Sequence, residues 1–354
     1  MVKVWTRRGV VRVGVGGAAA TTIGLRLPRI AGAEAPPLEQ KDSYVIGYAQ
    51  TDENNPWRIA QTNSVRSEIE ARGWTVEYRN AQESTQQQLA DVASLIAARV
   101  DAIFLPPREE TPLAQAVIQA YQAGIPVFCL DRNVDQSIVQ AGDQYVCFIG
   151  SDFYQEGARA AQWLAENTGG EAQIIELFGT TGATAAIDRN RGFVDYLAGS
   201  YVPANPDSAT AATPAAAPSG GYPGMTIIAS QTGNFTRDEG RQVFETLYQA
   251  NPQATAVYTH NDEMALGAIA ALEAQGKVPG QDIQIVSVDG SRDALQAIID
   301  GKLGATVECS PFFGPVACDT LVAYAAGEPV PTQIINTDRF YDASNAAEFI
   351  DSSY

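Results

Sequence analysis

The chain of 354 residues contains a single histidine, His260. A zinc site built on two or three imidazoles cannot be assembled from it. Any Ser-His-Asp or Cys-His arrangement would have to run through that one side chain. Cysteine is also scarce: Cys129, Cys147, Cys309 and Cys318, with no C-x-x-C spacing, which argues against structural zinc and thioredoxin-like chemistry. Each lies in an apolar stretch, as buried thiols do, while disulfides stay open for an exported chain. Basic residues are few, 23 Lys and Arg against 41 Asp and Glu, for a net charge of -18. Such a surface repels phosphate backbones and anionic headgroups, so no nucleic-acid partner is expected. No G-K-[ST] follows Gly179–Gly182, so a phosphate loop is excluded there.

What is present is unevenly placed. Residues 1–33 hold six basic side chains (Lys3, Arg7, Arg8, Arg12, Arg26 and Arg29) and no acid. A small-residue, mildly apolar stretch then leads to Ala31-Gly32-Ala33, an A-x-A cleavage pattern. Arg7-Arg8 followed by Gly9-Val10-Val11 resembles a twin-arginine export signal; an ordinary secretory signal is the alternative. The segment is too short and too polar for a membrane span. An extracytoplasmic, periplasmic location follows for the rest.

Beyond the signal, short apolar runs alternate with helical periodicity. Strands are expected at 44–49, 74–79, 101–106, 125–130, 145–150, 172–178, 226–230, 254–259, 282–288 and 304–309. Between them, sets such as Leu89, Val92, Leu95 and Ile96 recur at three- and four-residue spacing. This alternation predicts βαβ units and parallel sheets. Ten strands exceed one comfortable sheet, so the expectation is an α/β fold with two doubly wound lobes. Residues 199–224, rich in Pro, Ala, Ser and Gly, interrupt the pattern and read as a low-complexity mobile loop.

In such sheets ligands bind beyond the carboxyl ends of the strands. The segments there are ENNPWRIAQTNS, RVDAIFLPP, IPVFCLDRNVD, GTTGATAAIDRNRGF, SQTGNFTRDEG, VYTHNDEMALGAI and IVSVDG. In this order they resemble the sugar-binding proteins of ABC importers of the ribose/galactose type, and within them the galactofuranose-binding branch. The resemblance covers nearly all of 44–340. It implies the type I periplasmic binding protein fold: two Rossmann-like lobes joined by three crossing segments near 150–152, 309–310 and 337–338. The first lobe would combine 43–151 with 310–337, and the second 152–309 with 338–354.

The resemblance also assigns a substrate-binding set. Asn55, Trp57 and Arg58 come from the first loop, and Asp131 with Arg132 follow the fourth strand. Arg189, Phe235, Asn261 and Asp289 face them from the second lobe. Two departures stand out: Pro106 replaces an Asn of ribose binders, and Cys309 replaces a hinge Gln. Both shift the expected ligand from ribose toward galactofuranose, galactose or arabinose.

The residue types suit a sugar. Planar Asp, Asn and Arg groups each meet two neighbouring hydroxyls, and Trp57 and Phe235 cover apolar ring faces. Read alone, Asp131-Arg132 is equally a solvated pair, and Asp289 a cap for a helix starting near Ser291. His260 reads as a hydrogen-bonded strand-end residue. The expected function is a transport receptor that closes on a monosaccharide and delivers it to an ABC permease and ATPase complex. The protein is expected to be monomeric, without cofactor or metal, and not an enzyme. A chemotaxis or sensor-kinase receptor is the alternative. A glycosidase using Asp131 and Asp289 is more remote, because the adjacent Arg132 makes Asp131 a hydrogen-bonding partner rather than a proton donor. A transcription regulator would need a helix-turn-helix and a basic surface, which residues 1–43 do not supply.

Overall fold

The structure, a computed structural model, describes residues 34–203 and 213–354; the export segment expected at 1–33 lies outside them. The first lobe opens with β1 (Val45–Gln50), α1 (Pro56–Ala71), β2 (Thr75–Asn80), α2 (Thr85–Ala98) and β3 (Ala102–Leu105). It continues with α3 (Glu110–Gln122), β4 (Val127–Leu130) and β5 (Cys147–Gly150). The chain then crosses into α4 (Phe153–Thr168), β6 (Glu171–Phe178), α5 (Thr184–Ala198), β7 (Gly224–Thr232) and α6 (Arg237–Ala250). That lobe goes on through β8 (Ala256–Thr259), α7 (Asp262–Ala274), β9 (Gln284–Asp289), α8 (Arg292–Ile299) and β10 (Ala305–Glu308). A second crossing returns to α9 (Gly314–Ala325) and β11 (Gln333–Ile335), and a third leads to β12 (Phe340–Asp342) and α10 (Ala346–Phe349).

Each lobe holds one six-stranded sheet, in the orders β11-β5-β4-β3-β1-β2 and β12-β10-β9-β8-β6-β7. The first is parallel throughout, while in the second β12 runs antiparallel to β10. The two-lobed α/β expectation holds, and all ten expected strands form. The central strands AIFL and VFCL are buried at every position, which is why they read as continuous apolar runs. β2 sits at the sheet edge and is only half covered.

Two strands were not expected, β11 and β12. Each has three residues and forms by adding to an existing edge. The low-complexity stretch also differs from expectation at its flanks. Tyr201, Ala217 and Tyr222 pack against the core, and Tyr201 lies 4.9 Å from Tyr154, centroid to centroid. The aromatic side chains supply the face that the surrounding Ala, Ser and Gly lack. Residues 204–212 lie outside the described set.

Candidate sugar-binding site

The nine residues singled out by sequence, together with Ala185 and Cys309, line one cavity of about 320 Å³ between the lobes. They reach it from the carboxyl ends of the strands. Asn55 follows β1, Asp131 and Arg132 follow β4, Phe235 follows β7, Asn261 follows β8, and Asp289 ends β9. Arg189 projects from α5. The lobes meet at the rim, where the Glu110 N–H donates to the Gly182 carbonyl (2.9 Å) and the Asn133 N–H to Thr184 Oγ1 (3.0 Å).

On the first-lobe side, Arg58 Nη1 lies 2.7 Å from Asp131 Oδ2 and donates to Gln61 Oε1 at 2.8 Å. Its guanidinium sits 4.7 Å from the Trp57 ring centroid. Trp57 Nε1 donates across the second crossing to the Cys309 carbonyl at 2.7 Å. Arg132 Nε stands 3.7 Å from Asp131 Oδ2. Burial, and then the neighbouring Arg58 charge, pull Arg132 down to about 9, so it is still a cation at neutral pH. For Arg58, burial works the other way from Asp131 and Asp52, and the two carboxylates win, holding it above its usual value. Asp131 Oδ2 is taken up by the Arg58 ion pair, whereas Arg132 Nε is buried without a hydrogen-bond partner. An unpaired donor beside a buried carboxylate on one cavity wall is poised for a polar ligand, since burying a donor unmet is costly.

On the second-lobe side, Arg189 donates from Nε to Glu156 Oε2 (2.7 Å) and from Nη1 to the His260 carbonyl (2.6 Å). Its Nη2 is 3.8 Å from Asp289 Oδ1. Burial pushes Asp289 well above the ordinary carboxylate range, only partly offset by Arg189. Phe235 lies between Arg132 (5.2 Å) and Arg189 (6.0 Å), a position favourable to cation–π attraction. Its ring occupies the space a Cβ would take at Gly179, 2.1 Å from the ring carbon Cζ, so glycine is required there.

Three cavity residues hold left-handed backbone: Asp131 (φ 60°), Phe235 (φ 63°) and Asp289 (φ 133°). Such conformations cost about 1–3 kcal/mol each and persist where the surroundings impose them. For Phe235, Asn261 is part of that imposition, because its Nδ2 donates to the Phe235 carbonyl at 3.0 Å. Asn261 Oδ1 meanwhile caps α7 through the Met264 N–H, and Asn55 Oδ1 caps α1 through the Arg58 N–H. Both amides are thus engaged in holding the site as well as lining it. The helix after β9 is capped by Ser291, which leaves Asp289 free for the cavity.

His260 is buried and bonded on both nitrogens, accepting from the Gly179 N–H and meeting Glu176 Oε1 at 3.0 Å. Burial outweighs Glu176 and lowers its pKa, so the ring is neutral. All four cysteines are buried and free. Sequence reasoning did not single out Glu156 or Ala185. A glutamate in the first turn of a helix carries no local sign of reaching a cavity behind it.

A second cavity, of about 500 Å³, lies at the hinge between α4 and the third crossing, lined by Glu156, Arg159, Asn336 and Asp338 among others. Asp338 Oδ1 accepts from the Ser310 N–H, and its carbonyl accepts from Arg159 Nη1. Burial, with Glu156 nearby, raises Asp338 to about 7. The native state then keeps a proton that the unfolded carboxyl, near 3.9, has released. This contribution to stability is full below about pH 4 and is lost as pH rises through 7. The Asp338→Asn variant is therefore expected to gain Tm relative to wild type between pH 5 and 8. Paired thermal melts across that range check it.

With this geometry in place, comparison with known proteins is decisive. The "Periplasmic binding protein domain" family matches residues 46–329. This chain belongs to that family. It is 34% identical over 296 residues to the galactofuranose-binding protein YtfQ of Escherichia coli (strain K12), covering 82% of this chain and 85% of that protein. A solved arabinose ABC transporter binding component from Shewanella sp. ANA-3, bound to α- and β-L-arabinofuranose, shares the fold with a TM-score of 0.77. Its identity is 37%, over 87% of this chain and 95% of that one. A Mycobacterium smegmatis protein in complex with β-D-fucofuranose gives a TM-score of 0.76 and 38% identity, over 87% and 94%. Among the described residues of this periplasmic binding protein, no helix is long and apolar enough to cross a membrane.

Proposed function

We propose that this protein is the solute-binding component of an ABC importer, that it binds a monosaccharide in the interlobe cavity, and that it hands the closed complex to a membrane permease. The observation that carries the reading is the cavity wall itself. Asp131, ion-paired to Arg58, and Arg132, whose Nε has no hydrogen-bond partner, line a space with Trp57 and Phe235, which gives polar groups for hydroxyls and apolar faces for ring C–H. We assign the lobes to 43–151 with 310–337 and to 152–309 with 338–354. The protein acts as a monomeric binder and not as an enzyme. The ligand class is a furanose-forming sugar: galactofuranose, galactose or arabinose.

Thermal shift and calorimetry with D-galactose and L-arabinose test the reading. At a thousandfold excess over Kd, binding adds about 4 kcal/mol, which a melt resolves easily. If the site selects the furanose ring, the apparent Kd of a free sugar is weakened by the fraction in that form. A melt unchanged by either sugar would remove the ligand assignment.

Trp57 supplies an internal reporter. It lines the cavity and bonds the hinge at Cys309, whereas Trp74 and Trp163 do not line it. Sugar binding is expected to change tryptophan emission, and Trp57→Phe to remove most of that change while calorimetry still detects heat. A full response in the variant would place the reporter elsewhere.

A further inference from the structure

Among the described residues, Arg189 is the only arginine lining the cavity from the second lobe, and its posture is set from outside the cavity. Glu156, in the first turn of α4, is only 2% exposed and does not line the sugar cavity. Its Oε2 holds Arg189 Nε at 2.7 Å. Its Oε1 is buried without a hydrogen-bond partner, and the residue lines the hinge cavity. The Arg189 guanidinium is closed in further by the Phe153 ring at 5.3 Å and the Phe235 ring at 6.0 Å.

A buried carboxylate with one oxygen unmet is a costly way to fill space, and a neutral or apolar side chain would pack there at lower cost. The groups facing Glu156 show what its charge does. Arg189 faces it from α5, Cys309 from the end of β10, Asp289 from β9, and Asp338 from the third crossing; Asp152 and Arg159 belong to its own helix region. Among the described residues, Arg189 alone comes within ion-pair distance. With Nε engaged by Glu156 and Nη1 by the His260 carbonyl, the guanidinium plane is fixed, and Nη2 is left toward Asp289 and the cavity.

We propose that Glu156 is a positioning residue for ligand recognition: it orients Arg189, through the Oε2–Nε bond, so that the Nη2 edge and Asp289 together present a fixed donor–acceptor pair to the sugar. This rests on the sugar-binding reading above. The arrangement matters because an arginine free to rotate about its last torsions would lose entropy on each binding event. Glu156 removes that loss beforehand.

The test is a double-mutant cycle on the full chain: wild type, Glu156→Gln, Arg189→Lys and the double variant, with affinity by calorimetry and Tm by melting. The sugar is whichever of D-galactose and L-arabinose wild type binds more tightly. Gln keeps the shape of Glu but turns a charge-assisted bond into a neutral one, so affinity is expected to fall about tenfold. In the Arg189→Lys background the same change is expected to have almost no further effect, because there is no Nε–H left to orient. Additive losses would overturn the proposal, since a role in general stability does not depend on Arg189. Affinity of Glu156→Gln within twofold of wild type would overturn it too. If Glu156→Gln does not fold, the cycle is run with Glu156→Asp, with the same criterion of non-additivity. Wild type binding neither sugar is a separate failure, which overturns the ligand assignment and this inference with it.

Discussion

Replacing Asp131 with alanine is expected to weaken sugar binding by about a thousandfold and to lower Tm in the same variant. Asp131 is 4% exposed, with Arg58 at 2.7 Å and Arg132 at 3.7 Å from one oxygen. Without it, two buried guanidinium groups face each other across the cavity wall. Arg132 already feels Arg58, which contributes to holding it near 9. Removing one partner of a buried pair costs about 3–5 kcal/mol, and 1.4 kcal/mol is a factor of ten. Asp52 remains, 3.9 Å from Arg108, and also acts on both Arg58 and Arg132, so the fold is expected to survive. Asp131→Asn keeps the shape and one acceptor oxygen, and should lose clearly less. Calorimetry and melts on both variants check the order wild type, then Asn, then Ala. An alanine variant that binds within threefold of wild type would remove Asp131 from the site.

The sequence carried much of this site, for a physical reason. In a doubly wound lobe the carboxyl ends of the parallel strands point to one edge, so locating those strands also locates the ligand edge. Residues at or just past those ends, such as Asp131 and Asp289, therefore met in one cavity although 158 positions separate them. What was not legible depends on tertiary contact. β11 and β12 have three residues each and no period of their own; they are strands because β5 and β10 offer open edges. Glu156 shows only in three dimensions, because its partner Arg189 lies 33 positions away on another helix. The caps were hidden for a different reason. Asn55 and Asn261 stand just before helices, where capping and ligand contact ask for the same side chain. Sequence could not say that each does the first.

The second large effect is expected from a residue with no side chain at all. Gly157→Ala would place its Cβ 2.0 Å from the Arg189 carbonyl oxygen and 2.8 Å from the Arg189 carbonyl carbon. Gly192 makes the reciprocal contact with the Tyr154 carbonyl, so α4 and α5 touch backbone to backbone at two points. Neither helix can yield alone, because each contact is to main chain rather than to the end of a flexible side chain. The helices must separate, and overpacking of this kind costs about 1–3 kcal/mol or more. Helix propensity gives back less than about 1 kcal/mol of it, since alanine is the better helix former. The net expectation is a Tm lower by several degrees. The separation also falls where it matters for binding, because Glu156 precedes the glycine and Arg189 is the residue struck. Their 2.7 Å bond would stretch, and sugar affinity is expected to fall together with stability, whereas a remote destabilising change on α8 would leave affinity of the folded fraction intact. Melts and calorimetry on Gly157→Ala, set beside Ala297→Gly on α8, separate the two. Lost stability with unchanged affinity would mean that the α4–α5 contact supports the fold without setting the arginine.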